Sequence, residues 1–179
     1  MSSRSEILEA IRKNSPEITT LPEAKAIKHS LSSEELLAVF IDNLTKAGAE
    51  VVEEIPSGNI LDFSKPEIRS EYPADCPVDK IYALETIMIT GRLGVAENGA
   101  IWLDEEELSN RLLPFATQRL ILKLDKNKIV HNMQDAYSII HLEKTGYGVF
   151  ISGPSKTADI EQSLVYGAHG AKELTVVLE

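Results

Sequence analysis

Gly148-Val149-Phe150-Ile151-Ser152-Gly153-Pro154-Ser155-Lys156-Thr157-Ala158-Asp159-Ile160-Glu161 is the stretch whose reading decides the fold. Val149 to Ser152 has the apolar run of a buried strand, and Gly153-Pro154 breaks it. Beyond the break, Ile160 and Leu164 stand four apart, the spacing of one helical face. The stretch therefore predicts strand, glycine turn and helix over 149–161, the edge of an α/β unit. The first turn of such a helix leaves backbone N–H groups unpaired and carries about half a positive charge, so it can hold a carboxylate or phosphate. Ligands of open α/β sheets sit beside such turns, at the carboxyl ends of strands. A small-anion cleft is expected here.

Working outward, residues 131–144 predict a helix with Met133, Ala136, Tyr137 and Ile140 turned inward, and Arg119 to Leu124 a strand. The acidic run Asp104-Glu105-Glu106-Glu107 reads as the water-facing start of a helix, where carboxylates complement the dipole. Val95-Ala96-Glu97 and Ala100-Ile101-Trp102-Leu103 flank Asn98-Gly99, a strong signal for a two-residue hairpin turn. Thr86 to Thr90 is a strand ended by Gly91, and a short helix over 78–84 precedes it. Residues 56–75, punctuated by Pro56, Gly58, Pro66 and Pro73, read as a long irregular loop. Ser32 and Glu35 have capping-box spacing and open a helix with Leu36, Leu37, Phe40, Leu44 and Ala47 on one face, stopped by Gly48.

Ala49 to Ile55 and Leu174 to Leu178 complete the strands, and residues 3–13 form a short N-terminal helix. The alternation predicts a three-layer α/β fold: a mostly parallel sheet, helices on both faces and one antiparallel hairpin. The expected division is a helix and connector arm over 1–31 and a single α/β domain over 32–179.

Composition narrows the function. A formal net charge of −10 argues against nucleic acid, which needs clustered lysine and arginine, and against anionic membrane surfaces. The N-terminal stretch lacks the apolar run of a signal peptide and no segment reaches the length of a membrane span, so a cytoplasmic protein is expected. One cysteine, Cys76, allows neither an internal disulfide nor an iron–sulfur cluster held by this chain alone. No dinucleotide fingerprint of glycines follows a strand.

Several residues carry candidate chemistry. Gly153-Pro154-Ser155-Lys156-Thr157 is not a nucleotide P-loop, because Ser155 stands where that motif needs a glycine. As an anion cradle it offers Ser155 or Thr157 as caps and Lys156 as a point charge. Asp159 and Glu161 oppose a multiply charged phosphate or satisfy the helix dipole themselves, so capping and ligand binding both stay open. Glu97 either precedes a hairpin turn or projects into the cleft as a general base. His169 either caps a helix end or transfers a proton near neutral pH. His131 and Asp135 stand four apart with no third ligand evident, so no metal site is expected.

The stretch 153–161, with Gly167-Ala168-His169-Gly170 and Leu174-Thr175-Val176-Val177-Leu178, closely resembles the C-terminal signature of the lactate utilisation protein C family, whose members carry the LUD domain. The likeness continues through Thr90-Gly91, Ala96-Glu97-Asn98-Gly99, Arg111-Leu112-Leu113-Pro114 and the segment His131 to Ile140. It departs at Asn98, where the family has threonine, and at Ala171, where it has proline.

The resemblance implies a fold similar to the ribose-phosphate isomerase, glucosamine-phosphate deaminase and CoA-transferase group. It implies an accessory, non-redox role beside iron–sulfur partner proteins that oxidise L-lactate to pyruvate, with no cofactor in this chain. The expected ligand-binding set is Thr90, Gly91, Asn98, Gly99, Gly153, Pro154, Ser155, Lys156, Thr157 and Asp159, taking a small carboxylate or phosphate-bearing ligand. Glu97 and His169 are the catalytic candidates. A free-standing phosphosugar- or acyl-CoA-type enzyme with Glu97 as base or nucleophile, and a non-catalytic binding module, remain alternatives. Assembly into a homo-oligomer is left open.

Overall fold

Thr86–Thr90, Arg119–Leu124 and Glu173–Leu178 are apolar at most positions, as strands of a parallel sheet covered on both faces must be. In the computed structural model they lie side by side. It describes residues 3–16, 19–20, 30–141, 146–160, 163–167 and 169–179. The chain runs α1 (Ser3–Lys13), α2 (Ser33–Ala47), β1 (Glu50–Val52), β2 (Leu61–Asp62), α3 (Pro66–Glu71) and α4 (Val78–Tyr82). It continues with β3 (Thr86–Thr90), β4 (Leu93–Val95), β5 (Ala100–Asp104), α5 (Leu113–Ala116) and β6 (Arg119–Leu124). It closes with β7 (Ile129–Val130), α6 (Met133–Ile139), β8 (Gly148–Ile151), β9 (Lys156–Ile160), β10 (Ser163–Tyr166) and β11 (Glu173–Leu178).

The first sheet has the order β1-β11-β6-β3-β2 and every pairing in it is parallel. The second has the order β7-β4-β5-β8, with β5 antiparallel to both neighbours. β5 is buried at all five positions because its two faces serve different cores. Ile101 and Leu103 join Leu120, Leu122 and the α2 residues Phe40 and Leu44 in the main core. Ala100 and Trp102 face the other way, with Leu93, Val95 and Ala136 of α6. The second sheet is thus a middle layer, backed by α6.

The mixed α/β architecture with a mostly parallel sheet is as expected, and α2 follows its local signals closely. The Ser32 hydroxyl accepts from the Glu35 amide, Glu35 accepts from the Ser32 amide at 2.8 Å, and Gly48 ends the helix at φ 93°.

Four local expectations need correction. No helix follows Gly153-Pro154: Lys156–Ile160 is β9, paired antiparallel with β10. Five residues apolar only at Ala158 and Ile160 satisfy a strand as readily as a helical turn, and pairing decides. The stretch 56–75 is not an irregular loop, since it holds β2, an edge strand of the parallel sheet, and α3. Asp104 does not begin a water-facing helix: it ends β5, 3% exposed, and bonds Arg92. Tyr137 is not turned inward but is 53% exposed, while Ala136 is buried and Met133 and Ile140 partly so. Residues 17–18 and 21–29 of the arm, 142–145 of the expected helix, and Glu161 and Ala168 lie outside the described residues.

Candidate functional site

With β9 a strand, the turn after β8 has no helix start to offer an anion. Its backbone is engaged instead: the Ser155 amide donates to the Ala171 carbonyl at 2.8 Å, and the Gly167 amide to the Ser155 carbonyl at 3.0 Å. Gly153 adopts φ 80°, and a side chain there would place its first carbon 2.5 Å from the Ala47 carbonyl oxygen. The turn therefore needs glycine twice over, for its left-handed backbone and for its close approach to α2. Lys156 donates from Nζ to that same Ala47 carbonyl at 2.5 Å. Ala47 ends α2, where the dipole is negative, so the ammonium offsets the helix terminus. Ala47 leads into β1, and Ala171 into β11, so this corner sits at the amino ends of those strands.

Beside the corner is a cleft of about 320 Å³. Gly153, Ser155, Lys156 and His169 line it, with Phe115 and Phe150 among its apolar walls. The His169 amide donates to the Ser155 hydroxyl at 3.4 Å, fixing the two residues against each other, and His169 is exposed. Pro154 sits in the turn, partly buried. Thr157 and Asp159 fall on β9.

Thr90, Gly91, Glu97, Asn98 and Gly99 do not line this cleft. Thr90 ends β3; the Gly91 amide donates to the Lys123 carbonyl at 2.7 Å, and Gly91 packs against the Ile101 side chain. Residues 96–99 join β4 to β5, a four-residue connection where two were expected. Asn98 bonds its own turn, its side-chain oxygen accepting from the Ala100 amide at 3.0 Å. Glu97 accepts from the Met133 amide at 2.9 Å, so its carboxylate serves the first residue of α6. The turn and the hairpin nevertheless meet: the Ser152 hydroxyl donates to the Asn98 carbonyl.

A second cleft, about 520 Å³, opens on the α6 side of the middle sheet. Arg92, Asp104, Trp102 and Lys128 contribute to it. Arg92 bonds Glu106 and Asp104, and these contacts hold its guanidinium more firmly charged than usual, Glu106 foremost. Sequence reading missed this cleft. Its one available signal was period two: Trp102 and Asp104 share a face of an otherwise apolar strand. Among the described residues, no group of three or more His, Cys, Asp or Glu side chains could hold a metal ion. No described helix is long and apolar enough to cross a membrane.

The fold defines an α/β protein built on a parallel sheet with a second, mixed sheet against it. A family model described as the LUD domain matches residues 78–178, more than half of the chain and every candidate from Thr90 to His169. The chain belongs to the LUD domain family. It is 33% identical over 90 residues to Lactate utilization protein C of Geobacillus kaustophilus, a match covering 47% of this chain and 38% of that protein. It is 37% identical over 82 residues to Lactate utilization protein C of Bacillus pumilus, covering 42% and 34% respectively. The matched segment thus spans little more than a third of either relative. A crystal structure of a DUF162 family protein from Deinococcus radiodurans superposes with a TM-score of 0.56 at 18% identity, covering 83% of this chain and 99% of that one. That likeness concerns the fold alone.

Proposed function

We propose that this chain is an accessory, non-redox component of L-lactate utilisation, acting beside iron–sulfur partner proteins. One observation carries the reading. The LUD domain match over residues 78–178 holds every candidate residue, and the chain is 33% and 37% identical over 90 and 82 residues to proteins named for lactate utilisation. In this reading the cleft between the β8–β9 turn and His169 takes a small carboxylate. Lys156 supplies the nearby charge, and Ser155 and His169 the hydrogen-bonding groups. The cleft sits at the end of α2 rather than on a helix start, so a singly charged ligand suits it better than a phosphate: the helix terminus there is negative.

Deleting the gene in its own host and growing cells on L-lactate tests the role. Growth on lactate should fail, growth on pyruvate should persist, and the wild-type gene should restore the first. Affinity purification of the tagged chain from lactate-grown cells should bring down iron-containing proteins. Unimpaired growth of the deletion strain on lactate overturns the reading.

A further inference from the structure

The carboxyl ends of parallel strands are where open α/β sheets hold their ligands. Here those ends lead to the larger cleft. Arg92 lies two residues past the end of β3, and Asn127 to Ile129 follow the end of β6; all line the same 520 Å³ volume. That size falls within the range of small-molecule sites, which are mostly apolar with a few placed polar groups. The walls fit this description. Leu93, Trp102, Val130 and Ile140 form apolar surface, and Trp102 is held in place by Phe150, ring centroids 4.7 Å apart.

The polar groups are arranged unevenly. Asp104 is 3% exposed, and its carboxylate accepts from the Glu106 amide at 3.0 Å and pairs with Arg92 Nη1 at 3.2 Å. The same Nη1 bonds Glu106. Both contacts use one nitrogen, so among the described residues Nε and Nη2 of Arg92 have no partner. That leaves the edge of the guanidinium that accepts a carboxylate side-on through two parallel hydrogen bonds. Lys128 is exposed on the rim; its backbone amide donates to the Asp125 carbonyl at 2.9 Å, and its ammonium makes no ion pair or hydrogen bond among the described residues.

We infer that this cleft binds a small monocarboxylate with an apolar tail or ring, its carboxylate on the free edge of Arg92 and its body along Trp102, Leu93 and Ile140. Charge selects the monoanion. Arg92 and Lys128 are balanced by Asp104 and Glu106, so each negative charge a ligand brings adds repulsion, and a phosphate ester or a dicarboxylate meets more of it than a monocarboxylate does. Size selects the tail, because a three-carbon acid leaves most of the volume unfilled. The site shares no lining residue with the cleft beside His169 except through the packing of Phe150 on Trp102, and it does not depend on the lactate reading.

Trp102 is the chain's single tryptophan, so its fluorescence reports this cleft directly. Titrating the full chain with 3-phenylpropanoate should change that emission saturably, with a Kd below about 1 mM. The isosteric cation 3-phenylpropylamine and L-lactate should bind at least about tenfold more weakly. Arg92→Lys keeps a cation beside Asp104 and removes the planar fork; it should weaken 3-phenylpropanoate roughly tenfold. Lys128→Glu, at an exposed position, should weaken it several-fold. No saturable change up to about 10 mM overturns the inference. So does equal binding of the amine, or an affinity untouched by both substitutions.

Discussion

The Ser152 hydroxyl donates to the carbonyl oxygen of Asn98 at 2.7 Å, joining the turn after β8 to the tip of the β4–β5 hairpin. Both segments also rest on α2. Asn43 donates to the carbonyls of Ala96 at 2.7 Å and Glu97 at 3.2 Å, and Lys156 donates to that of Ala47 one turn further along. Two stretches within the family match are therefore held in register by one helix. Part of what those residues do is structural.

Asn43→Ala should show this. The substitution strips two hairpin carbonyls of a donor, one of them on the buried Ala96, and an unsatisfied buried polar group costs about 1–3 kcal/mol. The urea midpoint should fall with the slope unchanged. An unshifted midpoint would mean that α2 does not hold the hairpin.

Gly99 is the tightest point of the same contact. It adopts φ 64°, and a side chain there would place its first carbon 2.7 Å from the Leu44 backbone nitrogen. Gly99→Ala combines backbone strain with a collision against helix backbone that cannot rotate away, a loss of about 3 kcal/mol. Gly58 has a positive φ too, 149°, but nothing lies within 4 Å of it. Gly58→Ala should therefore cost clearly less, and equal losses at the two sites would refute the packing argument.

These contacts also explain which features the sequence discloses. α2 is legible because both of its ends are fixed locally: Ser32 with Glu35, and Gly48 alone. The hairpin is legible in kind, since Asn98 bonds Ala100 two residues on. Its length is not, because the Ala96 and Glu97 amides donate to Val130 and His131, more than thirty residues away in the chain. Lys156–Ile160 misleads for a related reason. Ile160 and Leu164 have helical spacing, yet the pairing of Tyr166 with Lys156 and Val165 with Thr157 makes the segment a hairpin. Asp104 sits at the head of an acidic run that resembles a solvated face. Only the fold brings Arg92 to it, across the β4–β5 pair.

Glu97 offers a test of cap against chemistry. Its carboxylate accepts from the Met133 amide at the start of α6. Glu97→Gln keeps an acceptor there, so stability should stay within about 0.5 kcal/mol of wild type; Glu97→Ala removes it and should cost about 1 kcal/mol. Thermal unfolding distinguishes the two. If neither variant shifts the midpoint, the carboxylate does not support α6.

Two glutamates should give the pH profile of stability opposite slopes. Burial raises the carboxyl of Glu107, so the folded chain holds that proton more tightly than the unfolded chain does. Ionising it costs stability, and the loss sets in as pH rises from the ordinary glutamate value through the raised one. Glu107→Gln should therefore stabilise the protein at neutral pH, and the gain should vanish in acid. Glu35 behaves in the reverse sense. The Ser32 amide, then the Ser32 hydroxyl, lowers its carboxyl, so its contribution is complete above the ordinary glutamate value and disappears as pH falls through the lowered one. Glu35→Ala should lose stability at neutral pH and approach wild type in acid. Urea midpoints of both variants across the acid range check the pair. A Glu107→Gln variant whose advantage survives at low pH would trace its effect to packing rather than to ionisation.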